Sequence, residues 1–324
     1  MNILQYCING ISIGSIYAII ALGYTMVYGI AKMLNFAHGD IIMVGAYICY
    51  CVTNYLGMPP ILGILASMAV CTLLGIVIEG LAYKPLRGTP SLAVLITAIG
   101  VSYFLQNAAQ LIWGSNPKSF TSVVSTIKPF LLFGSLTITG EVLVTVVVSV
   151  VIMLALTWFT SSTRIGKSMR AVSEDRDAAQ LMGINVNKTI SITFAIGSAL
   201  AAVAGVLMCS SIPVLQPTTG SMPGIKAFTA AVFGGIGSIP GAFVGGILLG
   251  IIQVKMVAER SSIFDNVGSV VEKFQAVRRK GNAVAVPFEE GDVKFLFYFP
   301  DGGTQARLGN KQGLCRSRNR GVLR

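Results

Sequence analysis

Long apolar runs separated by polar stretches are the feature that most limits how this chain can fold. The runs cover residues 4–30, 41–56, 61–83, 92–113, 142–159, 189–212 and 225–252. A helix needs about 20 apolar residues to cross a bilayer. Only 11% of the 324 residues are charged, against roughly 25% in an ordinary soluble domain. We therefore predict an all-α, polytopic membrane protein with about 7 apolar spans.

The last apolar run contains several residues that interrupt helices. They are Gly234, Gly235, Gly237, Pro240 and Gly241. Glycine and proline weaken or break the helical hydrogen-bond ladder. We expect a re-entrant turn followed by a helix here, instead of one straight span.

Basic residues predict which ends of the spans face the cytoplasm, because cytoplasmic loops carry an excess of Lys and Arg. They lie between apolar runs, at Lys84, Arg87, Arg164, Lys167, Arg170 and Arg176. Counting spans backward predicts Lys32 inside, residues 58–60 outside and the amino terminus outside. The net charge of +11 is divided between such loops and the last 70 residues. It therefore does not indicate a nucleic-acid partner.

The residue content argues against catalysis. His38 is the only histidine, whereas a zinc protease motif needs two on one helix face. Gly166, Lys167 and Ser168 imitate a phosphate-binding loop, but Ser161 stands where that motif requires glycine. We predict no catalytic residue, no metal site and no cofactor. The chain is not expected to be an enzyme or to hydrolyse ATP by itself.

Small residues recur at helical spacing in three stripes. The stripes are Gly10, Gly14 and Ala18; Gly197, Ala201, Gly205 and Cys209; and Ser238, Ala242, Gly246 and Gly250. Association of helices in lipid relies on small residues that let the backbones approach. The stripes predict closely packed helices.

The polar stretch of residues 164–188 predicts a short helix that docks on a cytoplasmic partner. We place Ser173 as its N-cap, acidic residues in its first turn and Gly183 as its C-terminal stop. The residues predicted to carry the docking are Glu174, Asp175, Asp177, Ala178, Leu181 and Gly183. The alternative is a solvated loop helix without a partner.

Glu79 lies near the predicted cytoplasmic end of the third run. An unpaired carboxylate in lipid is costly. We expect Glu79 to reach the interface or to pair with Lys84 or Arg87. An anchoring role is favoured over a role in transport.

The hexapeptide NFAHGD, residues 35–40, separates the first two apolar runs. Asn35 and Asp40 can cap helix ends, and Gly39 permits a sharp turn. A helix that begins near Asp40 would direct free N–H groups toward the preceding residues, and such an end suits a carboxylate if it is buried. The alternative is a cytoplasmic cap in which His38 is merely hydrogen-bonded. The hexapeptide thus marks a translocation path or a helix break.

Four separated motifs resemble one protein family. They are GYTMVYGIAKMLNFAHGDIIMVGAY (residues 23–47), LITAIGVSYFLQN (95–107), RAVSEDRDAAQLMGIN (170–185) and GIKAFTAAVFGGIGSIPGAFVGGILLGI (224–251). They resemble the permeases of branched-chain amino-acid ABC importers, specifically the H-type subunit.

The resemblance implies an ABC importer permease fold in a bacterial inner membrane. It also implies a second, related permease as partner, two cytoplasmic ABC ATPases beneath the pair, and a periplasmic substrate-binding protein that delivers leucine, isoleucine or valine. The family's coupling segment matches residues 174–185, in agreement with the docking helix inferred from charge.

The resemblance ends at about Ile252. We predict a transmembrane permease domain over residues 1–252 and an atypical polar, basic tail over residues 253–324. The family normally continues into another apolar span. The abrupt change in composition indicates a frameshift, gene fusion or sequence error after Ile252, or a disordered tail.

A second class of function remains open at this point. A secondary transporter or channel for amino acids or other small polar solutes would work without ATPases. It predicts charged or polar residues deep in several spans to bind coupling ions. Such residues are sparse in this sequence.

Overall fold

The computed structural model describes residues 3–120, 122, 130–132 and 136–256. All of them belong to one compact unit, which ends at Ser262. The predicted polar tail lies outside the described residues, except for its first residues, 253–256. The boundary proposed at Ile252 stays a prediction.

The described residues form ten α-helices. They are α1 (Ile3–Ala31), α2 (His38–Tyr50), α3 (Pro60–Ile78), α4 (Ser91–Trp113), α5 (Gly140–Ser162), α6 (Arg164–Glu174), α7 (Arg176–Leu181), α8 (Val186–Ser211), α9 (Ser221–Gly234) and α10 (Ile239–Met256). Helix α2 continues into a π-helical turn (Cys51–Tyr55), and α3 into a π-helical turn (Glu79–Tyr83) and a 3-10 turn (Lys84–Leu86).

Two short antiparallel strand pairs lie between the helices. Strand β1 (Lys118–Ser119) pairs with β4 (Val214–Leu215), and β2 (Phe130–Leu132) pairs with β3 (Leu136–Ile138). The pairing of β1 with β4 joins the segments that follow α4 and α8.

The predicted fold class is confirmed. Six helices of the described part are long and apolar enough to cross a membrane: Gln5–Ala31, Pro60–Leu86, Ser91–Trp113, Gly140–Ser162, Val186–Ser211 and Ile239–Met256. The predicted span at residues 41–56 is not among them. Its α-helical part, α2, has 13 residues and begins earlier, at His38.

The predicted break in the last apolar run is confirmed. Helix α9 ends at Gly234, and α10 begins at Ile239. Gly235 and Gly237 have φ values of +89° and +96°, which glycine adopts without steric cost. The two glycines therefore reverse the chain between the helices.

Helix α1 lies at the centre of the unit. The most apolar stretch of the span Gln5–Ala31 is 89% buried. The most apolar stretch of Gly140–Ser162 is only 17% buried. Helix α1 contacts α5, α8 and α9. Its backbone also approaches that of α10.

The contact between α1 and α10 is made by the predicted small-residue stripes. A Cβ atom added to Gly250 would stand 2.3 Å from the Cα of Gly14, and one added to Gly246 would stand 2.5 Å from the Cα of Ala18. The two helices run antiparallel, because Gly10 lies at Ile251 whereas Gly29 lies at Gly237. The stripes thus form a backbone-to-backbone seam, as predicted.

The stripe on α8 also lies in close contacts. A Cβ atom on Gly205 would stand 2.2 Å from the carbonyl oxygen of Ile42 on α2, and one on Gly197 would stand 2.9 Å from Val27 on α1. Helix α8 therefore packs closely against both α1 and α2.

Polar contacts gather at one end of the unit, which we call the basic end. Arg87 forms an ion pair with Glu79 and donates a hydrogen bond to Asn187. Arg176 donates to the carbonyl of Ala31. The loops predicted to be cytoplasmic therefore converge on one end of the helices.

The predicted pairing of Glu79 is confirmed, with Arg87 as the partner. Glu79 is 2% exposed. One carboxylate oxygen accepts from Arg87, and the other accepts from the hydroxyl of Ser191 on α8 at 2.6 Å. The carboxylate thus ties the end of α3 to α8.

Candidate functional site

The hexapeptide forms a helix break inside the bundle. Residues 32–37 are not helical, and α2 begins at His38. The His38 ring lies beside Gly197, which is 11 residues after the start of α8 and 14 before its end. At 1.5 Å per residue this is about 17 Å and about 21 Å from the two ends. The start of α2 is therefore near the middle of the bundle.

Helix α9 also begins at this level. A Cβ atom on Gly39 would stand 2.8 Å from the carbonyl oxygen of Gly220, and one on Gly224 would stand 2.9 Å from the Cα of Gly39. The first turns of α2 and α9 thus meet backbone to backbone. Gly39 lies in the first turn of α2 and its φ is not positive, so glycine is needed here for the close approach of the two backbones.

The predicted capping role of Asp40 is wrong. Residue Ala37 occupies the N-cap of α2, and no side chain caps it. Asp40 is 1% exposed, and its Oδ1 accepts a hydrogen bond from Nε2 of Gln106 at 2.9 Å. Buried polar groups are hydrogen-bonded in folded proteins, and here the donor comes from a different span.

Gln106 joins three helices. Its amide nitrogen also lies 3.1 Å from the Oγ of Ser221 on α9 and 3.2 Å from the Oγ of Ser102 on α4. The amide has two N–H groups, so it can serve two of these three oxygens at one time. We call Asn35, His38, Gly39, Asp40, Gln106 and Ser221 the polar junction.

Asn35 and His38 occupy the other side of the polar junction. The Oδ1 of Asn35 accepts from the hydroxyl of Tyr83 at 2.8 Å, so this side chain does not cap a helix. The His38 ring is 1% exposed and packs edge-on against Tyr24 with centroids 4.6 Å apart. The carbonyl of Ile20 lies close to the ring, although neither ring nitrogen meets the distance and angle of a hydrogen bond. The interpretation of His38 as merely hydrogen-bonded stays a prediction.

Asp40→Ala is expected to lower the free energy of unfolding by about 1–3 kcal/mol, because it removes a buried acceptor from Gln106. Asp40→Asn is the matched control, since it keeps an acceptor oxygen at the same place. The midpoint of thermal unfolding of the purified protein in mild detergent measures both. Equal midpoints for Asp40→Ala and the unsubstituted protein would show that the hydrogen bond contributes nothing.

A short helix, α7, lies in the stretch predicted to dock, but it begins later than expected, and docking itself stays a prediction. Ser173 is wrong as its cap, because it lies inside α6, where its hydroxyl donates to the carbonyl of Arg170 at 2.7 Å. Glu174 is the last residue of α6, not part of the first turn of α7. Asp175 has extended backbone angles, and its carboxylate accepts from the N–H groups of Asp177 and Ala178 at 2.9 and 3.1 Å. The cap is therefore Asp175.

The C-terminal end of α7 follows the prediction. Gly183 has a φ of +82°. Its N–H donates to the carbonyl of Gln180 at 3.0 Å, and the N–H of Ile184 donates to the carbonyl of Ala179 at 3.0 Å. These two bonds form a Schellman motif, which stops a helix at a glycine.

Helix α7 presents an exposed surface at the basic end. Ala179 packs inward, with 4% exposed. The six residues predicted to carry docking are all exposed: Glu174, Asp175, Asp177, Ala178, Leu181 and Gly183. Leu181 is 89% exposed and Met182 is 83% exposed. We call residues 174–185 the docking segment.

The polar junction and the docking segment are separate sites. No signal in the sequence marks Gln106, Ser221 or Tyr83, because their partners are 48 to 115 residues away along the chain. Lys226 does carry a signal, because it is the only charged residue in the apolar run of residues 225–252.

Comparison with known proteins gives consistent matches over most of the chain. The family described as "Branched-chain amino acid transport system / permease component" matches residues 6–268. The chain is 46% identical over 264 residues to the high-affinity branched-chain amino acid transport system permease protein BraD of Pseudomonas aeruginosa, covering 77% of this chain and 85% of the relative.

Two further relatives extend the comparison. The permease protein LivH of Escherichia coli K12, from a high-affinity branched-chain amino acid transport system, is 43% identical over 280 residues, covering 82% of this chain and 90% of the relative. A probable branched-chain amino acid transport permease protein LivH of Methanocaldococcus jannaschii is 29% identical over 247 residues, covering 73% and 76%.

Proposed function

Because this chain belongs to the family of permease components of branched-chain amino acid transport systems, we propose that it moves leucine, isoleucine and valine across the bacterial inner membrane. The chain is a multi-pass permease of an ABC transport system. Its partners hydrolyse the ATP. Transport proceeds by alternating access of the permease to the two sides of the membrane.

We propose four kinds of partner for the complete importer. A second, related permease completes the membrane part, two ABC ATPases bind at the basic end, and a periplasmic binding protein delivers the amino acid. The family description, a permease component of a transport system, supports the presence of partner subunits.

The docking segment carries the proposal of ATPase coupling. Leu181 and Met182 are large apolar side chains exposed at the basic end, and an exposed apolar pair on a short, doubly capped helix suits insertion into a groove of a partner. The capping by Asp175 and Gly183 makes α7 rigid, so that a push on the segment is passed to α8. Closure of the ATPases would thereby turn the permease from outward-open to inward-open.

The polar junction serves this function as an anchor of the helix break. The Oδ1 atoms of Asp40 and Asn35 each accept a hydrogen bond from another helix of the chain, which supports a structural role for both side chains in this conformation. We therefore propose that Asp40→Ala weakens assembly more than it alters substrate preference. A changed ratio of leucine to valine uptake at normal yield of the complex would instead favour a substrate contact.

The first test is an affinity purification of the chain in mild detergent, followed by mass spectrometry of the proteins that copurify. A second permease and two ATPases are expected. Reconstituted proteoliposomes should then take up leucine only when ATP and the binding protein are both present. Uptake without ATP, driven by an ion gradient, would instead support a secondary transporter.

A further inference from the structure

Lys226 is a basic residue on α9 at a place where the surrounding sequence is apolar. It is the only charged residue in the run of residues 225–252. Its Nζ lies 6.0 Å from the centroid of the Tyr17 ring on α1, within the range of a cation–π contact. The position of Tyr17 therefore fixes the depth of the ammonium group.

Tyr17 lies near the middle of the first span. The span runs from Gln5 to Ala31, so Tyr17 is about 18 Å from one end and about 21 Å from the other at 1.5 Å per residue. The Tyr17 hydroxyl donates to Oε1 of Gln253 on α10 at 2.9 Å, which holds the ring in place. The ammonium group of Lys226 is consequently near the centre of the membrane.

No acid of the described part of the chain neutralises Lys226. The ion pair found among these residues joins Arg87 to Glu79, and Asp40 is engaged by Gln106. A cation at this depth that faced lipid without a counter-charge would be strongly disfavoured. The ammonium group of Lys226 therefore needs an anion that does not come from the described residues.

The face of α9 that carries Lys226 also carries exposed apolar side chains. Met222 lies one turn before Lys226 and Phe233 two turns after it, and they are 67% and 82% exposed. Lys226 itself is partly exposed. A carboxylate beside an aliphatic side chain matches this combination of one ammonium group and neighbouring apolar surface.

We propose that Lys226 binds the carboxylate of the transported amino acid as it passes the centre of the membrane. The three N–H groups of the ammonium donate to the carboxylate oxygens, and Met222 lies against the aliphatic side chain. Tyr17 positions the ammonium group through its ring. This inference rests on the proposed function of the chain.

The test compares Lys226→Met and Lys226→Arg in the complete importer, reconstituted in proteoliposomes with the binding protein. Leucine uptake per assembled complex is expected to fall at least tenfold in Lys226→Met, because the charge is lost, and to stay within about threefold of the unsubstituted complex in Lys226→Arg. ATP hydrolysis stimulated by the binding protein should change less than twofold in both, because the docking segment is untouched.

Lys118→Met is the matched control. Lys118 also lies over aromatic rings, 5.5 Å from the centroid of Tyr50 and 5.8 Å from that of Tyr55, but it belongs to β1, beyond the end of α4, and not to the middle of a span. This variant should keep full uptake. A tenfold loss there would show that removing a lysine beside an aromatic ring lowers uptake wherever it lies, and it would overturn the specific assignment to Lys226.

The outcomes separate this inference from the proposed function. Leucine uptake by the unsubstituted complex with normal uptake by Lys226→Met would overturn the role of Lys226 alone. No ATP-driven uptake by the unsubstituted complex would overturn the proposed function itself. A loss of assembled complex in Lys226→Met that accounts for the whole loss of total uptake would overturn the proposal and assign Lys226 to an ion pair with another subunit. Lys226→Gln keeps a polar side chain but removes the charge, so it tests whether the charge itself is needed. Full uptake per complex in this variant would also overturn the proposal.

Discussion

Gly250→Ala is expected to remove most of the folded protein from the membrane. The added Cβ atom would stand 2.3 Å from both the Cα and the N of Gly14, and backbone atoms cannot move aside as a flexible side chain can. Helices α1 and α10 would have to separate along the whole seam. We expect a loss of more than about 4 kcal/mol, beyond the range of ordinary single substitutions.

Gly100→Ala is the control for this prediction. Gly100 lies inside α4, and an added Cβ atom would meet nothing within 4 Å. Alanine favours a helix by up to about 1 kcal/mol relative to glycine, so this variant should be as stable as the unsubstituted protein or slightly more stable. The yield of protease-resistant protein in membranes measures both. A normal yield of Gly250→Ala would show that the seam is looser than described.

Leu181→Asp combined with Met182→Asp is expected to reduce ATP-driven uptake about a hundredfold. Truncating a central apolar anchor of an interface typically costs at least about 2 kcal/mol, and burying two new carboxylates adds to that loss. The chain itself should remain folded, because both side chains are more than 80% exposed. Copurification of the ATPases, measured by quantitative mass spectrometry, should fall in parallel with uptake.

Leu56→Asp serves as the control, since Leu56 is 63% exposed and follows the far end of α2. It should leave copurification of the ATPases unchanged. Normal copurification of the ATPases with the double variant would show that the docking segment does not contact them. Helix α7 would then be a solvated loop helix.

Local features of the fold could be predicted from the sequence because each depends on a few neighbouring residues. Gly183 stops α7 and Gly235 reverses the chain through positive φ values, which the presence of glycine signals directly. The pairing of Glu79 with Arg87 was also accessible, because the two are eight residues apart across one helix end.

The polar junction could not be predicted in the same way. The sequence predicts a local cap at Asp40, whereas its hydrogen-bond partner Gln106 is 66 residues away. The error at Ser173 has a related cause: α6 extends without interruption from the cap at Thr163, so Ser173 is already helical before α7 begins. Sequence periodicity does not show which of two nearby polar residues leaves the helix.

The burial of α1 has a consequence for the order in which this protein is made. Helix α8, one of its main neighbours, begins 155 residues after α1 ends, and α10 follows later still. During synthesis α1 must therefore stay in the bilayer before the helices that will enclose it exist. No residue from Ile3 to Ala31 is charged, so α1 can remain in lipid alone before its neighbours are made. In the finished core a polar group could instead be paired with another helix. A charged substitution in α1 would thus act at insertion, before its partners could compensate for it.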